Sequence, residues 1–222
     1  IADFDARAQP IDEIVKRIKW NGISDTRLFD KIEASLLATY ETAKDHDGEQ
    51  YNSWLVQALA FSGQDKYRAT LERVLLGKIT PKLHRHTMSS MEVLPDFQRW
   101  NPVISNGVAD VPADQIRRKR TLNMLQGEDP ELARAGAAVA YHEFTRDDGV
   151  LDVIAAQLTA RLPAAASDPE AAEACAWFAK VLGESGQQRF VPVLTEAGKR
   201  TTAPAVRRYT EKALNQLKSQ NR

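Results

Sequence analysis

Two histidine pairings and one cysteine are the residues from which metal or nucleophilic chemistry could be built. His142 and Glu143 are adjacent, and imidazole and carboxylate are both transition-metal ligands. A metal centre needs several converging ligands, and this is the single His-Glu pair in the chain. His84 and His86 form a His-x-His pair. On a strand they would share a face, but on a helix they lie roughly 200° apart and cannot hold one ion. Cys175 is the sole cysteine, so no intrachain disulfide forms. It sits among Ala171, Ala172 and Ala179 with no histidine close in sequence to activate it, and reads as a small buried apolar residue. His46 completes the histidines. Gly-x4-Gly-Lys-Ser/Thr, Gly-x-Gly-x-x-Gly and Gly-x-Ser-x-Gly are absent. No catalytic residue, metal site or cofactor is expected.

Charge and aromatic residues point to binding instead. Lys plus Arg is 30 and Asp plus Glu is 30, so the formal net charge is zero. A nucleic-acid binder carries a basic surplus, and none exists. Arg117-Arg118-Lys119-Arg120 is the densest basic run, but consecutive helical residues point in different directions, so it reads as a solvated face. Arg207, Arg208 and Lys212 read the same way on the last helix. Trp54 and Trp177 recur in matching contexts and read as packing residues. Trp20 precedes a turn. Trp100 has no such counterpart, and aromatic residues dominate binding hot spots. With Phe97 and Arg99 beside it, Trp100 is the expected centre of a partner contact.

Helices must position these groups, because the apolar spacing is helical nearly everywhere. Ile11, Ile14, Val15 and Ile18 follow one helix face, with Pro10 suited to its start. Leu28, Phe29, Ile32, Leu36 and Tyr40 form the next stripe, capped by Ser24 or Asp25. Further helices are expected over 51–62, 65–76, 80–93, 113–126, 131–145, 149–162, 169–183, 188–199 and 203–218. Pro95, Pro102 and Asn106-Gly107 punctuate residues 95–112, which read as an irregular insert. No segment alternates with period two, and no apolar run reaches the roughly 20 residues of a membrane span. Ile1 stands where a start Met would. It reads as a trimmed end, whether by removal of an export signal, as in a periplasmic protein, or otherwise, as in a cytoplasmic one.

The chain also repeats itself. Ser-Trp-Leu-Val-Gln-Ala-Leu-Ala-Phe-Ser-Gly-Gln from Ser53 parallels Ala-Trp-Phe-Ala-Lys-Val-Leu-Gly-Glu-Ser-Gly-Gln from Ala176, at an offset of 123 residues. The offset pairs Trp54 with Trp177, Gly63 with Gly186, Tyr67 with Phe190 and Leu71 with Leu194. Asp129-Pro130-Glu131 and Asp168-Pro169-Glu170 open similar segments 39 residues apart, and Pro204 lies 35 residues after Pro169. Helix pairs at such a period stack, because one pair cannot bury its own apolar face.

Residues 179–197 carry Leu182-Gly183, Ser185-Gly186 and Val191-Pro192-Val193-Leu194. This stretch resembles a HEAT-type repeat of the short bacterial kind. The resemblance implies an all-α, right-handed α-solenoid of about ten or eleven helices, in one domain over 1–222 with an insert at 95–112. It implies B helices lining a concave face, exposing Arg68, Glu72 and Arg73 in one repeat and Asp152, Gln157 and Arg161 in another. The expected function is a non-catalytic scaffold or adaptor for a protein or peptide partner. The alternatives are an enzyme on the same fold, of hydroxylase, lyase or glycosylase type with its pocket near the insert, and a purely structural part of a larger assembly. Similar repeat proteins include iron hydroxylases built on several His-Glu pairs and a DNA glycosylase family with a basic concave surface. Neither feature is present here, and no nucleic-acid partner is expected.

Overall fold

The computed structural model describes residues 11–220, so the expected helix start at Pro10 lies outside the described residues. Among the described residues the chain is all-α, with eleven α-helices, short 3-10 turns and no strand. It divides into two units, one ending at Asn106 and the other beginning at Gly107.

The first unit holds α1 (Ile11–Lys19), α2 (Thr26–Thr39), α3 (His46–Phe61), α4 (Arg68–Leu76) and α5 (Pro81–Ser105). Helix α3 packs against α1 on one side and α5 on the other, while α2 and α4 cover them as a second layer. The second unit holds α6 (Ile116–Gln126), α7 (Pro130–Glu143), α8 (Asp148–Arg161), α9 (Pro169–Glu184), α10 (Val191–Arg200) and α11 (Pro204–Ser219). Here α9 lies between α7 and α11, and α6, α8 and α10 form the other layer.

The internal repeat extends well beyond the stretch visible as matching letters. Asp45 and Asp168, 123 residues apart, cap α3 and α9 by accepting first-turn N–H bonds. The turn that follows each helix is the same. Ser62 and Ser185 donate to the carbonyls of Leu59 and Leu182, both at 2.6 Å, and accept from the N–H groups of Gln64 and Gln187 at 3.1 and 3.2 Å. Gly63 and Gly186 take φ of +63° and +73°, a left-handed conformation that side chains disfavour. Pro81 and Pro204 then open α5 and α11. The buried stripe of Leu83, Thr87, Ser90 and Leu94 recurs as Val206, Thr210, Ala213 and Leu217.

Helices α2 and α8 match at an offset of 122 residues. Asp25 and Asp147 cap them, and Phe29, Ile32 and Leu36 correspond to Leu151, Ile154 and Leu158, all fully buried. Lys66 bonds Asp30 in one unit, and Arg189 bonds Asp152 at the same place in the other.

The expected insert is corrected. Helix α5 runs through Pro95 and Pro102 to Ser105, and only the residues after it are irregular. Each proline removes one backbone bond and crowds the preceding turn, but packing holds the helix together. Leu94, Phe97, Trp100, Asn101 and Ile104 are buried along one stripe. Phe97 lies 4.7 Å from Phe61, 5.5 Å from Trp20 and 5.2 Å from Trp100, ring centre to ring centre. Asn101 donates to the carbonyls of Phe61 and Ser62, both at 2.9 Å, and so satisfies the end of α3.

Candidate functional site

Most side chains singled out for chemistry are committed to structure. Glu143 accepts a two-pronged bond from Arg117, at 2.9 and 2.7 Å, which holds its carboxyl below the usual range. His142 is exposed beside Tyr141. On α5, His84 is exposed and His86 half-buried, so they do not share a face. Burial pushes the Cys175 thiol up to about 11, with Arg161 pulling weakly the other way, and the side chain has no solvent access. Among the described residues no three His, Cys, Asp or Glu side chains gather as metal ligands do. No helix there is long and apolar enough to cross a membrane.

The expected partner patch also changes. Phe97 and Trp100 are 2% and 4% exposed and belong to the first unit's core, so they present no surface to a partner. The lack of a repeat counterpart for Trp100 reflects an aromatic core cluster with Trp20, Phe61 and Phe97, because the helix that carries it packs inward. Arg99 remains outside, bonded to Asp96 at 2.7 Å. Arg68 bonds Asp65 at 2.8 Å, while Glu72 and Arg73 stand exposed on α4. Asp152 is bound by Arg189, and Arg161 donates to Gln157 and to the carbonyls of Gly127 and Glu128. Arg118 in the basic run grips Asp147 at 2.7 and 3.1 Å.

A groove of about 240 Å³ opens between α9 and α11 in the second unit. Glu173, Ala176, Trp177 and Lys180 come from α9, and Ala205, Arg208 and Tyr209 from α11. Helical spacing explains the lining: 173, 176, 177 and 180 fall on one face, as do 205, 208 and 209. The opposite faces bury Ala174, Cys175, Phe178 and Val206. Ala176 and Ala205 lack the bulk to fill the space between the helices.

The electrostatics of the groove are distinctive. Lys180 Nζ lies 4.0 Å from the ring centre of Tyr141, on α7, and 4.2 Å from that of Trp177. Tyr141 and Trp177 meet edge to face at 6.2 Å. Arg208 and Lys212 sit 5.0 and 5.4 Å from the ring of Tyr209. Glu173 is the single acidic lining residue, and it lies 3.9 Å from Arg134. Among the described residues no carboxylate pairs with Lys180, Arg208 or Lys212; aromatic faces hold them instead. Rings attract a cation without neutralising it, so three positive charges stand ready beside half-buried aromatic surface.

Sequence reasoning placed Trp177 as a packing residue and Arg208 and Lys212 on a solvated face, and it passed over Lys180, Tyr141 and Tyr209. The signal was there: Trp177 and Lys180 are one turn apart, as are Arg208 and Lys212. Their convergence depends on α9 and α11 lying side by side. Compared with known proteins, the chain matches no family model, no curated protein and no solved structure.

Proposed function

We propose that the chain is a HEAT-like α-solenoid scaffold that holds a segment of a partner protein in the α9–α11 groove. Repeated helix pairs with identical turns support the solenoid reading, since each pair needs a neighbour to cover its apolar face. The observation that carries the binding role is the groove's lining: half-buried aromatic surface beside cations that no carboxylate among the described residues neutralises. Its volume of about 240 Å³ falls below the ~300–1,000 Å³ of pockets that enclose small molecules. It suits individual side chains of a longer ligand.

Selection of a random-peptide display library on the immobilised protein tests this, with a Trp177→Ala, Tyr209→Ala double variant for comparison. Selected peptides are expected to lose about tenfold or more in affinity for the variant, as aromatic anchors do. Both side chains are half-buried and pack against the second unit's core, so an unchanged helical circular dichroism spectrum and a cooperative urea transition of the variant are required alongside the binding comparison. A selection that yields no peptide sensitive to the double variant overturns the reading.

A further inference from the structure

We infer that the groove takes an acidic segment, in which carboxylates pair with Lys180 and Arg208 and an apolar side chain enters between Trp177 and Tyr209, and that the matching groove of the first unit is closed by Lys82. This rests on the binding role proposed above and adds the chemistry of the ligand.

Charge complementarity is the first ground. Lys180 and Arg208 line the groove, and Glu173 is the one acidic residue of the lining; one turn beyond the lining stand Lys212, Glu184 and Glu211. Cations already held against ring faces lose little side-chain freedom when they bind, and charge-assisted bonds to carboxylates are the stronger class. A peptide fits better than a nucleic acid. A phosphate backbone needs a track of cations, and here a few cations share a short groove with Glu173 in a chain of zero formal net charge.

The second ground is internal to the chain. At the offset of 123 residues, Trp177 corresponds to Trp54 and Arg208 to Arg85. The remaining lining residues differ. Glu173 becomes Gln50, Ala176 becomes Ser53, Lys180 becomes Gln57, Tyr209 becomes His86 and Ala205 becomes Lys82. Lys82 reaches from α5 to α3, donating to Gln50 Oε1 at 2.8 Å and lying 3.7 Å from Glu49. A long side chain thus spans the helices at the point where Ala205 leaves the second unit open. The same backbone carries a bridged copy and an open one, and the open copy has the unpaired lysine.

The experiment is fluorescence polarisation with three labelled nonapeptides sharing one central Leu-Phe pair and flanked by Glu, Gln or Lys, alongside a labelled oligo-dT. The parent protein is expected to bind the Glu peptide with affinity that falls as salt rises. Lys180→Glu and Arg208→Glu should each weaken it about tenfold or more. Ala205→Lys is the decisive variant, because it raises the positive charge while copying the bridge of the first unit. It should also weaken binding about tenfold, with an unchanged helical circular dichroism spectrum. An Ala205→Lys variant that binds the Glu peptide as tightly as the parent overturns the inference, since attraction would then be unspecific. Equal or tighter binding of the Gln or Lys peptide, or of oligo-dT, overturns it as well. So does no binding of the Glu peptide at about 1 mM. In each of these cases, peptides from the library that remain sensitive to the Trp177→Ala, Tyr209→Ala variant keep the binding role standing and remove the acidic class alone.

Discussion

Replacing Gly63 and Gly186 by alanine, one at a time, should give unequal losses of stability. Both glycines occupy the left-handed region, at φ +63° and +73°, so both variants carry the same conformational cost of about 1–2 kcal/mol. Their surroundings differ. A Cβ on Gly63 would fall 2.6 Å from the carbonyl carbon and oxygen of Phe97 and 2.7 Å from the backbone nitrogen of Gln98. That is the backbone of α5 and cannot swing aside, so overpacking adds about 1–3 kcal/mol. A Cβ on Gly186 would fall 2.8 Å from the side-chain oxygen of Gln220, an exposed residue that rotates away. Gly186→Ala should therefore cost about 1–2 kcal/mol and Gly63→Ala about 2–5 kcal/mol. Urea unfolding followed by far-ultraviolet circular dichroism measures this as a lower midpoint at constant slope. Equal losses, or a larger loss for Gly186→Ala, would refute the claim that identical turns are pressed differently by their neighbours.

Asp147 caps α8 through the Val150 N–H at 3.0 Å and holds Arg118; Asp147→Ala should cost about 1–2 kcal/mol, read in the same urea titration. The bond from Arg118 keeps the Asp147 carboxyl below its usual range, with burial opposing and the Val150 N–H assisting. Its contribution is therefore complete above the unfolded value near 3.9 and lost as pH falls through the lowered folded value, so the midpoint of Asp147→Asn should fall less between pH 4 and 2. Trp100→Ala should cost about 3–5 kcal/mol by leaving a cavity in the first unit's core, while affinity for a peptide in the α9–α11 groove stays at the parent value, because Trp100 is buried far from any lining residue in sequence and belongs to the other unit.

The helices were legible because their signals are local. Apolar residues at spacings of three and four mark each buried face, and Asp25 caps α2 as expected, whereas α3 begins at His46 and not at 51, because Asp45 caps it by accepting from the Gly48 N–H. The turn at Ser185-Gly186 was legible for the same reason. The end of α5 was misread because two prolines outweighed a stripe at 94, 97, 101 and 104 that keeps helical spacing throughout. Local propensity argued for a loop, and burial of Phe97, Trp100 and Ile104 decided otherwise. The groove was illegible for a different reason. Lys180 looks like one more helix-surface lysine until Tyr141 is brought beneath it, and that contact joins helices 39 residues apart in sequence.

The repeat separates what the fold requires from what a surface is free to do. The capping aspartates, the Ser-Gly turn and the threonines at 87 and 210 are the same in both units, and the stripes around them stay buried although their residues change. Trp54 and Trp177 agree as well, so a tryptophan at this place is compatible with either neighbourhood. The buried faces of the same helices change too, as from Asn52 to Cys175 and from Leu55 to Phe178, and on the open side Gln57 and Lys82 have Lys180 and Ala205 as counterparts. An alanine there contributes less buried area than the lysine stem that spans the other copy. Lys180 forgoes an ion pair that the charge-rich surface could have supplied. Ring faces hold Lys180 within the second unit, and the acidic ligand proposed above would fill the space beside Ala205 and give that lysine a carboxylate.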